Sequence, residues 1–432
     1  MGGSRIIITT ATGRHRLAQA GLCLAALAVG MAAVAQDLPD PPRLTLDVDS
    51  GLEYSNNPGF VANPTESGLW ARTDLRFGFS DETPLSRVSL TADVALRAGI
   101  SGDTKDGIDL PHRRLAFSYT RDLVGGALDF NAALDDSRID YQRPLSDFID
   151  TDGNIVLPDD LDALTGSGWR QSLSYGTRLT LGEGGTLTTR LALGGSDLSY
   201  RDASDPTLDN SHRRYADLGF DIVVTPATTA EIGLRYSTYR DSDQDDETLA
   251  IRAGLSFARP DGSYGFRIEH EDAPDGTRLR ASVNRRIERP WGSLDGRLGA
   301  TRDENGDVLA SGSLRLIYDL PSAQLTASLG RDVQSGSDDA SELRTSLMLG
   351  YTRQLAPRSN MSFNATYIDS SPTDGSAGTT IASLGLGYGY ELTQDWSLNL
   401  GLTHRRYDED GAPRREETAV TLGLSRSFAM GL

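Results

Sequence analysis

The sequence is nearly empty of two residue types, cysteine and lysine, and beyond its first 35 residues it has no long apolar run. The single cysteine, Cys23, lies within that first segment. Leu22 directly before it spoils a lipoprotein cleavage box. Downstream there is no cysteine, which excludes disulfides, thiolate metal centres and a Cys nucleophile. Lys105 is the only lysine, so positive charge is carried by arginine. From Gln36 onward no stretch reaches the roughly 20 apolar residues a membrane helix needs. A helical membrane protein is therefore excluded, in keeping with a mean hydropathy of −0.36. A transmembrane β-barrel is not, because only alternate residues of its strands meet lipid. Basic excess is also missing. The formal charge is −19, and −22 once the three arginines of residues 1–35 are set aside, which argues against a nucleic-acid partner.

Residues 1–35 have the layout of a secretory signal peptide. Arg5, Arg14 and Arg16 precede an Ala-rich apolar stretch, and Ala33-Val34-Ala35 is a small-x-small cleavage site. Residues 36–42, rich in proline and aspartate, read as a periplasmic lead-in. Residues 43–432 read as one domain.

The pattern of that domain is clearest at 384–407. Leu384, Leu386, Tyr388 and Tyr390 alternate with Gly385, Gly387, Gly389 and Glu391. After a turn at 393–395, Trp396, Leu398, Leu400 and Leu402 alternate with Ser397, Asn399, Gly401 and Thr403. A period of two predicts a β-hairpin, and arms of about ten residues match a tilted strand crossing a bilayer. The same alternation recurs throughout. It begins with Leu44, Leu46, Val48, Leu52 and Tyr54 against Asp47, Asp49 and Glu53, and ends with Val420, Leu422 and Leu424. Short connections alternate with longer acidic or Ser/Gly-rich loops at 55–68, 101–110, 142–168, 202–210, 241–247, 272–276, 303–307, 332–340, 370–379 and 408–416. These features predict an all-β fold: a transmembrane antiparallel up-and-down barrel of about 20 strands, with short periplasmic turns and long extracellular loops.

Aromatics follow distance from the turns. Phe77, Phe79, Phe117, Tyr119, Phe257, Tyr264, Phe266, Tyr388, Tyr390, Trp396 and Phe428 sit beside short turns, and Tyr54, Tyr141, Trp169, Tyr200, Tyr236, Tyr367 and Tyr407 near loop ends. Two interfacial girdles are expected. Arg214 and Arg285 fall in phase with the lipid-facing residues, near strand ends, and read as interfacial.

Chemistry-bearing motifs are sparse. His112, His212, His270 and His404 each lie near a loop end, with no motif marking a nucleophile or orienting a base, so no enzyme is expected. Asp241-x-Asp243-x-Asp245 starts like a calcium loop but has Asp246 at the glycine position and Arg252 at the closing position. That turn, 303–307 and 150–153 read as solvated acidic loops, with weak Ca²⁺ or Mg²⁺ bridging to lipopolysaccharide as the functional alternative; no other cofactor is expected. The polar faces carry Arg72, Arg76, Arg97, Arg178, Arg190, Arg235, Arg252, Arg267, Arg280, Arg297, Arg315 and Arg344, interleaved with Asp47, Asp49, Asp74, Asp93, Asp129, Asp217, Asp221, Glu231, Glu269, Asp295 and Glu391. Either they form cross-strand ion pairs in a wet lumen, or an arginine ladder tunes the charge of solutes in a channel.

With its leader, its repeated hairpins and the segment Leu52-Glu53-Tyr54-Ser55-Asn56-Asn57-Pro58, the chain resembles the β-barrel porin families of Proteobacteria, in particular the second, BBP2-like group. The resemblance implies an outer-membrane channel of a Gram-negative cell, in some members linked to exopolysaccharide export. The expected function is passive, porin-like transport of small polar solutes. The alternative is a non-conducting accessory of polysaccharide export or an envelope scaffold. Expected partners are outer-membrane lipid, lipopolysaccharide and the barrel-assembly machinery.

Overall fold

The computed structural model describes residues 41–65, 67–102, 107–139, 167–206, 208–242, 244–274, 276–303, 306–335, 341–372 and 377–431. The leader at 1–35, Lys105, Tyr141, Asp243, the acidic turn 150–153 and all but the last two residues of the 142–168 loop lie outside them.

The alternating stretches form twenty strands: β1 (Arg43–Ser55), β2 (Gly68–Thr83), β3 (Ser86–Gly102), β4 (Ile108–Leu123), β5 (Gly126–Arg138), β6 (Trp169–Leu181), β7 (Leu187–Arg201), β8 (Ser211–Thr225), β9 (Thr228–Arg240), β10 (Asp245–Arg259), β11 (Gly262–Ala273), β12 (Gly276–Arg289), β13 (Gly292–Arg302), β14 (Val308–Leu320), β15 (Ala323–Ser335), β16 (Ser341–Ala356), β17 (Ser359–Pro372), β18 (Thr379–Glu391), β19 (Trp396–Glu409) and β20 (Arg415–Gly431). The described residues contain no helix. Each strand pairs antiparallel with its chain neighbours, and β20 returns to β1, running from Arg43 opposite Gly431 to Ser55 opposite Ala419. The sheet is thus a closed barrel with no free edge. This is the one way strands satisfy their backbone groups in hydrocarbon.

Burial identifies the inside. On β10, the apolar Leu249, Ile251 and Leu255 are exposed, while Arg252 on the opposite face is part-buried and reaches past β9 to Asp217 on β8. The convex face of a closed sheet spreads its side chains apart and the concave face crowds them together. The charged face is therefore the inner wall. Leucines at 46, 52, 255, 298, 314, 400, 402 and 422 lie on the outer face, all open to the surroundings. Such a wide exposed apolar surface requires a lipid solvent.

The short turns gather at one rim, where outer-face aromatics cluster. Phe257 stacks on Tyr264 at 4.9 Å, with Phe266 edge-on to both, and Trp291 sits 5.2 Å from Tyr318. Charged exceptions in this face have carboxylate or aromatic partners. Arg285 donates to Asp261 at 2.9 Å. Arg426, a third outer-face arginine, lies between Trp396 and Phe428. At the opposite rim Arg214 rests over Tyr175 and donates to Asp197 at 2.7 Å.

Three expectations change. The strands run to 11–17 residues rather than about ten, because pairing continues past the apolar band into the acidic segments. Two connections expected to be long are tight: β11 resumes as β12 after 274–275, and β9 as β10 after 241–244. Polar residues there continue the ladder, because a rim strand in water does not need apolar side chains to pair. Finally, Tyr200 and Tyr407 do not join the loop-side girdle: Tyr200 stands opposite the inner-wall Arg170. Tyr407 shares the phase of Arg405, is 5% exposed on the inner wall and carries Arg415 over its ring.

Candidate functional site: the inner wall of the barrel

The arginines that share the polar phase are brought onto the inner wall, and most meet carboxylates there. Arg72 and Arg97 converge from β2 and β3 on Glu53 of β1. Arg76 donates to Asp93 at 2.5 Å, and Arg190 grips Asp221 with both terminal nitrogens. Arg235 and Arg252 share Asp217 at 3.0 and 2.7 Å. Arg252 and Arg267 share Glu231, at 3.5 and 2.7 Å. Arg280 bonds Glu269 and Glu271 at 2.8 and 2.7 Å and also donates to the Val333 carbonyl at 3.1 Å. Arg178 stands opposite Asp129, Arg315 opposite Asp295, and Arg297 lies 3.8 Å from Asp332. Arg344 faces Asp332 in the ladder. Cross-strand pairs on a wet wall contribute roughly 0.2–1 kcal/mol each. Their larger effect is geometric: they hold the long side chains along the wall instead of across the bore.

The wall is uneven around its circumference. Across β17–β20 the inner positions are mostly Asn, Ser, Thr and Gly. Asn360, Ser362 and Asn364 lie flat over Gly389, Gly387 and Gly385; a Cβ at those glycines would meet them at 2.7, 2.3 and 2.4 Å. Along the axis it is uneven too. Nearly every buried side chain belongs to the long-loop half: Glu53, Ser55, His112, Asp135, Ser137, Arg170, Arg278, Thr301, Val333, Ile368, Tyr407 and Glu417. Towards the short turns the inner charges are open, Arg76 at 63% and Arg286 at 55% exposure. The bore is wide at the short-turn rim and crowded at the loop rim.

Two contributors escaped the sequence reading, although they share the inner phase: Glu271, which takes Arg278 and Arg280, and Glu417, which takes Arg405 at 2.5 Å. The Tyr54-Ser55-Asn56-Asn57-Pro58 segment has a definite structural role. Ser55 donates to Glu417 at 2.5 Å. Asn57 donates to the carbonyls of Val61 and Glu416 at 2.8 and 2.7 Å and accepts from the Val61 amide at 3.0 Å. Asn56 accepts from the Thr418 amide at 2.7 Å and donates its own amide to the Thr418 carbonyl. Phe60, held at φ 48°, lies 3.9 Å from the Arg405 guanidinium. A non-glycine residue persists in this conformation only where its surroundings over-determine it. The segment is a clasp that stitches the first loop to β20 across the closing seam.

Three of the four described histidines have polar partners. His112 Nε2 lies 3.0 Å from Asp135, both buried in the wall. His212 Nδ1 lies 2.6 Å from Asp197 on the outer face, and His404 Nδ1 is 3.0 Å from the Thr418 hydroxyl. The acidic turns bond themselves: Asp241 accepts from the Gln244 amide and Asp303 from the Asp307 amide.

No family model matches the chain, and no curated protein matches it. The resemblance to BBP2-like barrels rests on the residues quoted for it. Among solved structures the chain is similar to OccK2 (OpdF) of Pseudomonas aeruginosa, at 12% identity and TM-score 0.41 over 90% of this chain and 98% of that one. It is also similar to OpdO of the same organism, at 16% and 0.38 over 91% and 99%. A third likeness is to the siderophore receptor PirA from Pseudomonas aeruginosa, at 13% and 0.44 over 91% and 82%.

Proposed function

We propose that this protein is an outer-membrane barrel that lets small polar solutes diffuse passively through its lumen. The observation that carries the reading is the charged inner wall of a closed barrel whose side chains remain in water, as Arg76 and Arg286 do. A filled core would bury them. Strand number supports it, since barrels of 16–18 strands already leave an aqueous channel. In this reading the short turns face the periplasm and the acidic loops the outside, where lipopolysaccharide and weakly held Ca²⁺ or Mg²⁺ meet them. The barrel-assembly machinery would read the last strand, whose Phe428 points to lipid.

The test is reconstitution of folded protein into a planar bilayer. Stepwise conductance is the expected result; a silent membrane containing folded barrel refutes it. The crowding of the long-loop half favours one second reading, a closed accessory barrel of polysaccharide export or an envelope scaffold, and a silent membrane is what that reading requires.

A further inference from the structure

One place on the inner wall departs from the pairing of arginine with carboxylate. Arg297, Ser313, Gly330 and Ser346 are direct cross-strand neighbours on β13, β14, β15 and β16, forming a row across four strands. Two steps along β15 and β16, Asp332 faces Arg344. Small residues between two long ones leave a recess of ≈ 200 Å³ in the wall, bordered by these six residues together with Gly312 and Arg331. Gly330 forms its floor. A Cβ there would already press on the Ser346 hydroxyl at 3.1 Å.

The charges around the recess are not balanced as they are elsewhere. Asp332 is the sole carboxylate bordering it among the described residues, and it lies 3.8 Å from Arg297, beyond hydrogen-bond range. Its Oδ1 is occupied by the Val333 amide at 3.0 Å. Arg344 has no carboxylate within 4.0 Å among the described residues, and its Nη2 is buried with no hydrogen-bond partner. A guanidinium with no counter-charge beside it is costly. An anion in the recess would supply that counter-charge.

We propose that the recess is a binding site for a small oxyanion, such as phosphate or the carboxylate end of a solute. Arg344 and Arg297 supply charge and planar donors, and Ser313 and Ser346 supply hydroxyls. Guanidinium groups suit this task because their fork of N–H donors matches two oxygens of one anion. Asp332 sets a limit: its negative charge opposes a dense anion, so the site holds and releases instead of trapping. The recess runs from the middle of β13 to the loop-side third of β16, on the inner wall. The site deepens the channel reading by naming a solute class, but its binding can be measured without conduction.

Folded protein in detergent micelles is dialysed to equilibrium against labelled inorganic phosphate and, separately, labelled succinate. Saturable binding is expected for at least one. It is expected to weaken about tenfold in Arg344→Gln, the loss of one charge-assisted contact, and to be restored only in part in Arg344→Lys, which keeps the charge but not the fork. Arg353→Gln, at the short-turn rim, serves as the control. Phosphate alone identifies a free inorganic anion as the ligand, and succinate a carboxylated solute. No saturable binding of either, or equal affinity in wild type and Arg344→Gln, overturns the proposal. The same variants in a planar bilayer separate the two readings. Binding with a silent membrane refutes the channel and leaves the site; conductance without Arg344-dependent binding refutes the site and leaves the channel.

Discussion

Replacing Asn57 by alanine should loosen the barrel where it closes. The side chain makes three hydrogen bonds, two given to the Val61 and Glu416 carbonyls and one taken from the Val61 amide, and the residue is fully buried. At roughly 0.5–1.5 kcal/mol net for each bond, the sum is about 2–4 kcal/mol. Val61 is half exposed, so water recovers part of its share and the lower half of that range is expected. Asn57→Asp is the sharper variant. It keeps the acceptor for Val61 but sets a carboxylate against two carbonyl oxygens, 2.8 and 2.7 Å away in the native protein, and should be no more stable than alanine. A second probe acts on the same seam by volume. A Cβ at Gly51 would meet the Leu422 carbonyl at 2.0 Å, and that atom is backbone. Gly51→Ala must push β1 from β20, an overpacking cost of about 1–3 kcal/mol. Gly387→Ala, whose Cβ meets only the Ser362 hydroxyl at 2.3 Å, should be nearly silent because that side chain can turn away. The readout is the temperature at which the compact band converts to the unfolded band on an unheated gel, with a urea titration in micelles for the free energy. Unchanged midpoints in both Asn57 variants would refute the clasp. Equal effects of Gly51→Ala and Gly387→Ala would refute the reasoning from backbone contact.

Two further outcomes follow from the two solvents and the turn charges. Leu400→Arg, at the centre of the outer stripe of β19, should cost about 2–4 kcal/mol in a bilayer, whereas Thr421→Arg on the neighbouring inner wall should cost little; equal costs by urea titration in liposomes would sink the inside–outside assignment. At the 260–261 turn, a hydrogen bond from Arg285 holds the Asp261 carboxyl below its ordinary range. The stabilisation it confers is present above the usual carboxylate pKa and is lost as pH falls through the lowered value, so Asp261→Asn should flatten the acid limb of the melting profile and leave neutral pH less stable than wild type.

The architecture was legible because hydrocarbon and water act on alternate residues, and a one-residue slip would have exchanged them along a whole strand. That is why the phase of Leu400 against Asn399, or of Ile251 against Arg252, sufficed to place both. Loop boundaries were less legible. Beyond the bilayer, water lies on both faces, so polar residues such as Asp245 or Asp272 extend strands without any periodic signal. The arginines could be placed on the wall but not matched to partners. Whether Arg252 takes Asp217 two strands away or Glu231 next door depends on stagger and side-chain length. Tyr407 shows a further limit: closeness to a loop end did not decide which side of the wall it faced. The clasp was visible as a motif, but its partner lies some 360 residues later, a distance that local spacing cannot reveal.

The flat-lying amides and hydroxyls of β17 over the glycines of β18 have a hydrodynamic consequence. A wall whose polar groups lie along it offers binding points at nearly constant radius, so a passing molecule exchanges one set of water-like contacts for the next without meeting a step. Under the proposed channel function, resistance would concentrate at the crowded loop rim, and changes in the surface loops would govern the rate of passage more strongly than changes along this smooth fifth of the tube.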